Sequence, residues 1–355
     1  MTPSEGRALF PALARIVYLN AGTFGPLAAP TLEAMQVELA RDAAEGRSGM
    51  PYFLRVLELR EQLRAAIAEL VGVTAGNVAL TSSTTDGCNI VFSGIGLGPD
   101  DEVITTTEEH FGLLGPLHTS GARVVMVAPE AEAILAAVTP RTRLIAISQV
   151  LWTSGRVLPV VELREQTGIR VLVDGAQSVG AVPVDARGMD FLTISGQKWL
   201  CGPDATGALV VADPELLRVT APSYFSQASY DAEGVFEPRP GAARFDPAWW
   251  SASSLAGLLA ALVLRPEWAF RHASEMAELC RRLLGERGLE VVTPPVRSTL
   301  VAFRPVREVP ETLVERLRTE AIHVREIPKT GLVRVSCGWW TNEDDLERLV
   351  TAVGS

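Results

Sequence analysis

The chain has 355 residues, of which 47% are hydrophobic, and a formal net charge of −10 at pH 7. This acidic balance argues against a general nucleic-acid binder, and the apolar runs are far shorter than the ~20 residues of a membrane-spanning helix. The length predicts a large domain with a smaller partner. The N-terminal segment lacks a signal-peptide layout, so we expect a cytoplasmic protein.

The first part of the chain is predicted to be helical. Residues 1–17 are expected to form an N-terminal arm with a short amphipathic helix over 6–16, and a loop rich in Gly and Pro follows. Apolar residues that recur at helical spacing predict two helices, over 31–44 and 51–70.

From residue 77 onward, short β-branched runs alternate with helical stretches. This alternation indicates βαβ units around a mostly parallel sheet. The last two runs are exceptions, because only a short loop separates them. The predicted strands are 77–81, 102–106, 123–127, 143–148, 170–173, 191–195 and 207–211.

The composition changes after residue 213. Residues 221–250 have no clear periodicity and are predicted to be a functional or interface loop. One long helical region is predicted over 254–287, followed by a smaller α+β unit with a helix over 310–320 and a C-terminal helix. The predicted divisions are an arm of 1–17, a large domain of 18–253 and a small domain of 254–355.

The cysteines are few and far apart in the sequence. They are Cys88, Cys201, Cys280 and Cys337. With no CxxC pair and no HExxH motif, we expect neither a structural zinc site nor a disulfide framework.

Two residues between positions 171 and 207 are the first candidates for chemistry. Asp174 follows the apolar run 169–173, and ligands of α/β sheets bind outside the carboxyl ends of strands. An ordinary turn aspartate is the alternative. Lys198 is one of only two lysines, with Lys329, although Lys and Arg together number 32. A buried lysine can lose its proton and form a Schiff base, which arginine cannot do.

Three further groups lie at or near predicted strands. The hydroxyl-rich run 82–87 starts a helix, where free backbone N–H groups can bind an anion, although a plain helix cap is the alternative. His110 lies just past the strand 102–106, where a structural histidine is the alternative. Arg334 lies in an apolar strand and suits a planar carboxylate, unless it faces solvent on an edge strand.

Together these motifs resemble those of the class V aminotransferase and cysteine desulfurase family, which are pyridoxal 5′-phosphate (PLP) enzymes of fold type I. The resemblance extends from YLNAGTFGP to VRVSCGWWTNEDDLERLV and is most specific in VLVDGAQSVGAVPVD and DFLTISGQKWLCGPDATGALVV. It implies an α/β fold in which a mostly parallel seven-stranded sheet, with one antiparallel strand, forms the large domain. It also implies a small α+β C-terminal domain, PLP as the cofactor, an amino-acid substrate and a homodimer.

The resemblance assigns roles to the matching residues. Lys198 corresponds to the Schiff-base lysine that moves the proton at the substrate Cα, and His110 stacks on the cofactor ring. Asp174 pairs with the pyridine nitrogen and keeps it protonated, so that the ring can accept electrons. The other implied cofactor contacts are Thr84, Thr85, Gln177, Ser195 and Gln197. The implied substrate contacts are Arg334, Asn20, Ala21 and Trp152.

Three places depart from the family pattern. Gln197 stands where the family often has a histidine before the lysine, and Trp152 stands where an asparagine is common. Ala248 and Trp249 replace the Gly-Thr pair that reaches the partner subunit's phosphate. The resemblance still implies an active site at the subunit interface, with the loop RFDPAWW and Trp249 contributed by the partner chain.

The reaction type is the most specific prediction that the sequence supports. Cysteine desulfurases carry a nucleophilic cysteine on a loop before the VRxS strand, whereas IHVREIPKTGLVRVS has neither that loop nor a cysteine. Persulfide chemistry is therefore not expected. The favoured prediction is a class V aminotransferase that acts at the amino-acid Cα. A C–S β-lyase, such as a cysteine-sulfoxide lyase, and an amino-acid epimerase are the alternatives, and a non-catalytic scaffold is a remote one.

Overall fold

The computed structural model of the protein describes residues 1–247, 249–294 and 298–354. The helices in these residues are α1 (Pro3–Ala8), α2 (Ala29–Glu45), α3 (Gly49–Val71), α4 (Thr84–Gly94), α5 (Phe111–Thr119), α6 (Ala131–Ala136), α7 (Val160–Thr167), α8 (Ala252–Leu264), α9 (Ala269–Glu286), α10 (Pro310–Thr319) and α11 (Glu343–Gly354). None of these described helices has the length and apolar character needed to cross a membrane.

The strands follow the same order along the chain. They are β1 (Val17–Tyr18), β2 (Val78–Thr81), β3 (Glu102–Thr106), β4 (Arg123–Val127), β5 (Thr142–Ser148), β6 (Arg170–Asp174), β7 (Phe191–Ser195), β8 (Gly207–Val211), β9 (Gln227–Tyr230), β10 (Phe236–Pro238), β11 (Glu290–Val291), β12 (Leu300–Arg304), β13 (Ile322–His323), β14 (Arg325–Ile327) and β15 (Leu332–Ser336).

A seven-stranded sheet forms the centre of the large domain. Its strand order is β2-β8-β7-β6-β5-β3-β4, and β8 is antiparallel to both of its neighbours while the other pairs are parallel. This confirms the predicted α/β fold with one antiparallel strand. Strands β6, β7 and β8 are buried along nearly their whole length, because helices cover both faces of the sheet. One apolar cluster includes residues of α3 and α8, and a second includes residues of α4 and α5.

The C-terminal part is an α+β unit, as predicted. Its four-stranded antiparallel sheet has the order β11-β12-β15-β14, and its core includes residues of α9, α10 and α11. Strand β1 of the N-terminal segment pairs in parallel with β13, so the start of the chain is attached to this small domain. The predicted boundary between 253 and 254 stays a prediction. Helix α8, which lies across it, buries Leu255 and Leu258 in the apolar cluster of the large domain.

Two local predictions were wrong, and proline accounts for both. The single helix predicted over 254–287 is two helices, because Pro266 follows Arg265 and a proline inside a helix removes a backbone donor and clashes with the preceding turn. The helix predicted over 6–16 ends at Ala8, and a short 3₁₀ turn begins at Pro11. The loop predicted over 221–250 also contains the antiparallel hairpin of β9 and β10.

Candidate active site

A cleft of about 240 Å³ lies at the carboxyl ends of the parallel strands, between the sheet and the small domain. Polar side chains from separate loops meet there because the carboxyl ends of parallel strands share one edge of a sheet. The predicted site residues that line this cleft are Thr84, Thr85, His110, Trp152, Gln177, Ser195, Gln197, Lys198 and Arg334. Asp174 and Ala21 are buried next to it, and Asn20 lies at the start of the loop that borders it.

Lys198 lies in the loop between β7 and β8. Burial disfavours the charged amine and lowers its pKa to about 8; Asp174 opposes this effect, while the positive charges of Arg334 and Arg325 add to it. The N-terminal loop lies on this segment, since the Gly25 amide donates to the Gln197 carbonyl at 2.8 Å. A Cβ at Gly25 would lie only 2.1 Å from the Lys198 carbonyl oxygen, so only glycine allows this approach.

Asp174 and His110 stand at neighbouring strand ends. Asp174 is the last residue of β6, is 3% exposed and accepts a hydrogen bond from the Ala176 amide at 2.8 Å. His110 caps α5, and its Nδ1 accepts from the Gly112 amide at 3.0 Å, which leaves the ring proton on Nε2. Partial burial, followed by the charge of Lys198, lowers the pKa of His110 and favours a neutral ring.

The start of α4 has the donors of an anion site. Ser83 caps the helix by accepting from the Asp86 amide at 3.1 Å, so the side chains of Thr84 and Thr85 occupy its first turn and face the cleft. Backbone N–H groups and hydroxyls at a helix N-terminus bind phosphate well. Ser195 also lines the cleft and donates to Gln197 Oε1 at 2.8 Å.

Arg334 provides a second anion site on the side of the small domain. It is 1% exposed, its Nη1 donates to the Trp152 carbonyl at 2.7 Å, and its Nε has no partner in the described structure. Burial lowers its pKa to about 9, with a further contribution from Arg325. A Cβ at Gly22 would lie 2.6 Å from Arg334 Nη2, so glycine at this position leaves room for the guanidinium.

These groups fit PLP. The hydroxyls at α4 suit its phosphate, Asp174 suits a protonated pyridine nitrogen, and the neutral His110 ring suits stacking. Lys198, with its lowered pKa, suits an aldehyde. The unpartnered buried Nε of Arg334 leaves a donor for a carboxylate.

A comparison with protein families decides the relationship. The family model described as Aminotransferase class-V matches residues 16–349. The chain belongs to this family. It is a family of PLP-dependent enzymes, which confirms the predicted cofactor and supports the prediction that the protein is an enzyme.

Relatives of this class V chain have different activities. It is 31% identical to isopenicillin N epimerase of Streptomyces clavuligerus, over 95% of this chain and 94% of that protein. It is 26% identical to the cysteine desulfurase CsdA of Escherichia coli, over 99% of this chain and 96% of that protein.

Solved structures of class V relatives agree closely with the fold. A C-DES variant with glycine covalently linked to its PLP cofactor has a TM-score of 0.92 and 28% identity, covering 98% of this chain and 99% of that one. The complex of the cystine C–S lyase C-DES with its product cysteine persulfide has a TM-score of 0.90 and 27% identity, covering the same shares of the two chains.

Gln177 connects the class V site to the N-terminal loop. Its Nε2 donates to the Gly22 carbonyl at 2.9 Å, and its Oε1 accepts from Trp199 Nε1 at 3.0 Å. These bonds leave one amide hydrogen for the predicted contact with the phenolic oxygen of PLP. Asn20 accepts from the Thr23 hydroxyl at 2.8 Å, which stabilises the same loop. The contacts of these residues with cofactor and substrate stay predictions.

Two residues near the site were missed from the sequence. Arg325 lines the cleft and lies opposite Arg334 in the β14–β15 pairing. The sequence could have indicated Arg325, because a hairpin turn centred near residue 330 would place it opposite Arg334. Glu109 was not predicted as a site residue, although it precedes His110 and is buried beside the strand ends.

The predicted contribution of the loop 244–250 from a partner chain is not settled. Ala248 lies outside the described residues. Trp249 is 49% exposed and packs against Phe225 and Tyr52, at ring-centroid distances of 4.8 and 6.4 Å. Trp249 is not among the described residues that line the cleft of its own chain. Its role at a subunit interface therefore stays a prediction.

Proposed function

We propose that the protein is a PLP-dependent C–S β-lyase that acts on a cysteine-derived amino acid with a second anionic group. The observation that carries this proposal is the pair Arg325 and Arg334, which lines the same cleft as Lys198. One guanidinium can hold the α-carboxylate in two parallel hydrogen bonds, and the other is then available to a second carboxylate. A disulfide-linked amino acid such as cystine has two carboxylates.

The residues of the cleft support proton transfer at the substrate Cα. Bound PLP supplies an electron sink for the negative charge that forms at Cα. Lys198, with a pKa of about 8, is neutral in roughly a tenth of the molecules near pH 7, far more than an ordinary lysine, and takes the Cα proton as a general base. Asp174 stabilises the positive charge on the ring nitrogen. Arg334 orients the α-carboxylate, and the Trp152 carbonyl holds the arginine in place.

The cysteines support a lyase over an enzyme that uses its own thiol. All four lie in the described residues and are buried. Burial raises the pKa of the Cys88 and Cys201 thiols, so these side chains are poor nucleophiles. The 27% identity to a cystine C–S lyase over nearly the whole chain also supports cleavage of a C–S bond.

An epimerase is the second candidate. The supporting observation is the 31% identity to isopenicillin N epimerase over 95% of this chain. Proton removal at Cα by Lys198 is common to both reactions, and they differ in whether the sulfur leaves or the proton returns. The predicted aminotransferase shares this first step as well.

The product distinguishes the three reactions. We would incubate the holoenzyme with L-cystine, S-methyl-L-cysteine and L-glutamate in D₂O. Pyruvate and ammonia are expected from L-cystine, with no pyridoxamine form of the cofactor. Accumulation of that pyridoxamine form would support transamination, and a deuterated amino acid of inverted configuration would support epimerisation. Either outcome without pyruvate would contradict the lyase.

We also propose that the active enzyme is a homodimer. Exposed aromatic side chains lie near Trp249, including Tyr224 at 57% exposure, and a single chain leaves them in water. Light scattering during size-exclusion chromatography is expected to give the mass of two chains. A mixed dimer of Lys198→Ala and Trp249→Ala subunits is expected to retain one functional site if Trp249 serves the partner. If the mixed dimers lose as much activity as the two unmixed variants, that arrangement is contradicted.

A further inference from the structure

Glu109 joins two strand ends beside the PLP site. It is 6% exposed, and its carboxylate accepts hydrogen bonds from the Ser148 amide, at 3.0 Å to each oxygen, and from the Ser148 hydroxyl at 2.5 Å. The Thr106 hydroxyl also donates to it, at 2.8 Å. Thr106 ends β3 and Ser148 ends β5, so one buried carboxylate connects these adjacent strands.

A second buried carboxylate lies next to this one. Ser148 is the register partner of Asp174 on β6, and the Gln149 amide donates to the Asp174 carbonyl at 3.3 Å. Burial, with a smaller contribution from the charge of Asp174, raises the pKa of Glu109 to about 7, although the hydrogen bonds from Ser148 and Thr106 oppose this rise. The pKa of the Cys88 thiol on α4 is raised mainly by burial, and the charges of both carboxylates contribute to the rise.

Two carboxylates in one buried region are unfavourable unless a cation compensates them. The protonated ring nitrogen that Asp174 is predicted to bind is such a cation. The Glu109 carboxylate already accepts hydrogen bonds from Ser148 and Thr106, so it would act on the ring through its charge and through Ser148.

We propose that Glu109 is a positioning residue for PLP, which holds the end of β5 beside Asp174 and supplies a second negative charge that stabilises the protonated ring nitrogen. The inference rests on the PLP site and on the predicted pairing of Asp174 with the ring. It is independent of whether the reaction is elimination, epimerisation or transamination.

The test compares Glu109→Gln with Glu102→Gln. Glu102 is a matched control, because it is also a buried glutamate, 2% exposed, and it starts β3, the strand that precedes Glu109, where it accepts from Thr139 and Arg141. Glutamine keeps the shape of each side chain and removes its charge. For each holoenzyme we would titrate the visible absorption of bound PLP with pH, and for each apoenzyme we would measure the Kd of PLP.

The expected result is specific to Glu109. Loss of a nearby negative charge destabilises the protonated cofactor. In Glu109→Gln, the pKa obtained by titrating the visible absorption of bound PLP therefore falls by roughly one unit. PLP binding weakens by about 10-fold. Glu102→Gln changes neither quantity. In infrared difference spectra, the protonated carboxyl band that the apoenzyme loses when PLP binds is absent from Glu109→Gln.

Other outcomes overturn the proposal. If Glu109→Gln loses thermal stability but its visible absorption titrates with the wild-type pKa, then Glu109 only stabilises the fold through its hydrogen bonds to the two strands. If this variant does not fold, Ser148→Ala replaces it, because loss of the hydroxyl donor raises the Glu109 pKa and is expected to shift the band in the same direction by less. An unchanged band in Ser148→Ala would contradict the proposal. A wild-type protein with no visible band would contradict the PLP site itself, whereas failure of the lyase assay alone leaves this test intact.

Discussion

Arg325 and Arg334 lie directly opposite each other on the adjacent antiparallel strands β14 and β15, and both line the cleft that contains Lys198. Each has a buried Nε without a partner in the described structure. Arg325 donates to the Thr23 hydroxyl at 3.1 Å, and Arg334 donates to the Trp152 carbonyl at 2.7 Å. Neither arginine forms an ion pair with a carboxylate within the described chain, so this pair is prepared for an anionic ligand.

The two arginines are expected to act on different groups of the substrate. Arg334→Ala should raise KM about 10-fold to 100-fold for any amino acid, because a charged hydrogen-bond donor to the α-carboxylate is lost. Arg325→Ala should raise KM by a similar factor for L-cystine. It should leave KM nearly unchanged for S-methyl-L-cysteine, which has one carboxylate. Steady-state kinetics with the two substrates measures this. Equal effects of Arg325→Ala on both substrates would contradict a second anionic group.

Lys198 is expected to bind the cofactor covalently. Borohydride reduction followed by peptide mass spectrometry should find PLP on Lys198, and Lys198→Ala should lower activity by at least about 10³-fold. Lys329 is the control, since it is the other lysine, is exposed and has a φ of 64° that suits Lys329→Gly. Lys329→Gly should keep wild-type activity and should still carry PLP on Lys198 after reduction. A label on Lys329 would overturn the assignment.

The lowered pKa of Lys198 predicts how PLP enters the apoenzyme. Only the neutral amine attacks the aldehyde, so the second-order rate of PLP incorporation should rise about tenfold per pH unit below about 8 and level off above it. Stopped-flow absorbance measures this rate. A rise that continues to pH 10 would show that the amine has its ordinary pKa.

The same pKa predicts a stability effect in the apoenzyme. Because the folded state disfavours the charged amine, Lys198→Met should increase the free energy of unfolding by roughly 1–3 kcal/mol at pH 7. The gain should shrink as pH rises from about 8 toward the ordinary lysine pKa, where the unfolded chain also loses the proton. Urea denaturation of both apoenzymes at several pH values tests this. A gain that does not vary with pH would point to packing instead of charge.

Asp246 is expected to stabilise the loop that leads to Trp249. It is fully buried and pairs with Arg60 at 2.5 Å and with Arg64, and it accepts from the Leu80 amide at 2.9 Å. Among the described residues, Asp246→Asn leaves the buried Arg60 without a counter-charge and leaves Arg64 with only the largely exposed Glu61, so it should cost about 3–5 kcal/mol. Glu61→Gln, which removes a largely exposed partner of Arg64, should cost less than about 1 kcal/mol. Urea denaturation compares them, and similar costs would contradict the role of burial.

Local sequence patterns predicted much of the fold and of the site. The seven strands of the large sheet lie within a residue of their predicted ends, because β-branched runs bounded by turns are a local property. Lys198 was found by its rarity and Asp174 by its place after an apolar strand. Both lie at the cleft or beside it, since the βαβ alternation already implies that the strand ends share one edge.

Tertiary structure decided what those local patterns could not contain. By itself, the sequence determined the fold class, the PLP chemistry that its motifs imply and the residues at each strand end. Only strand pairing placed Arg325 against Arg334 and Ser148 beside Asp174, because register depends on contacts between segments far apart in the chain. Burial then changed their chemistry. It lowered the pKa values of Lys198 and Arg334 and raised that of Glu109, since desolvation depends on everything that surrounds a side chain.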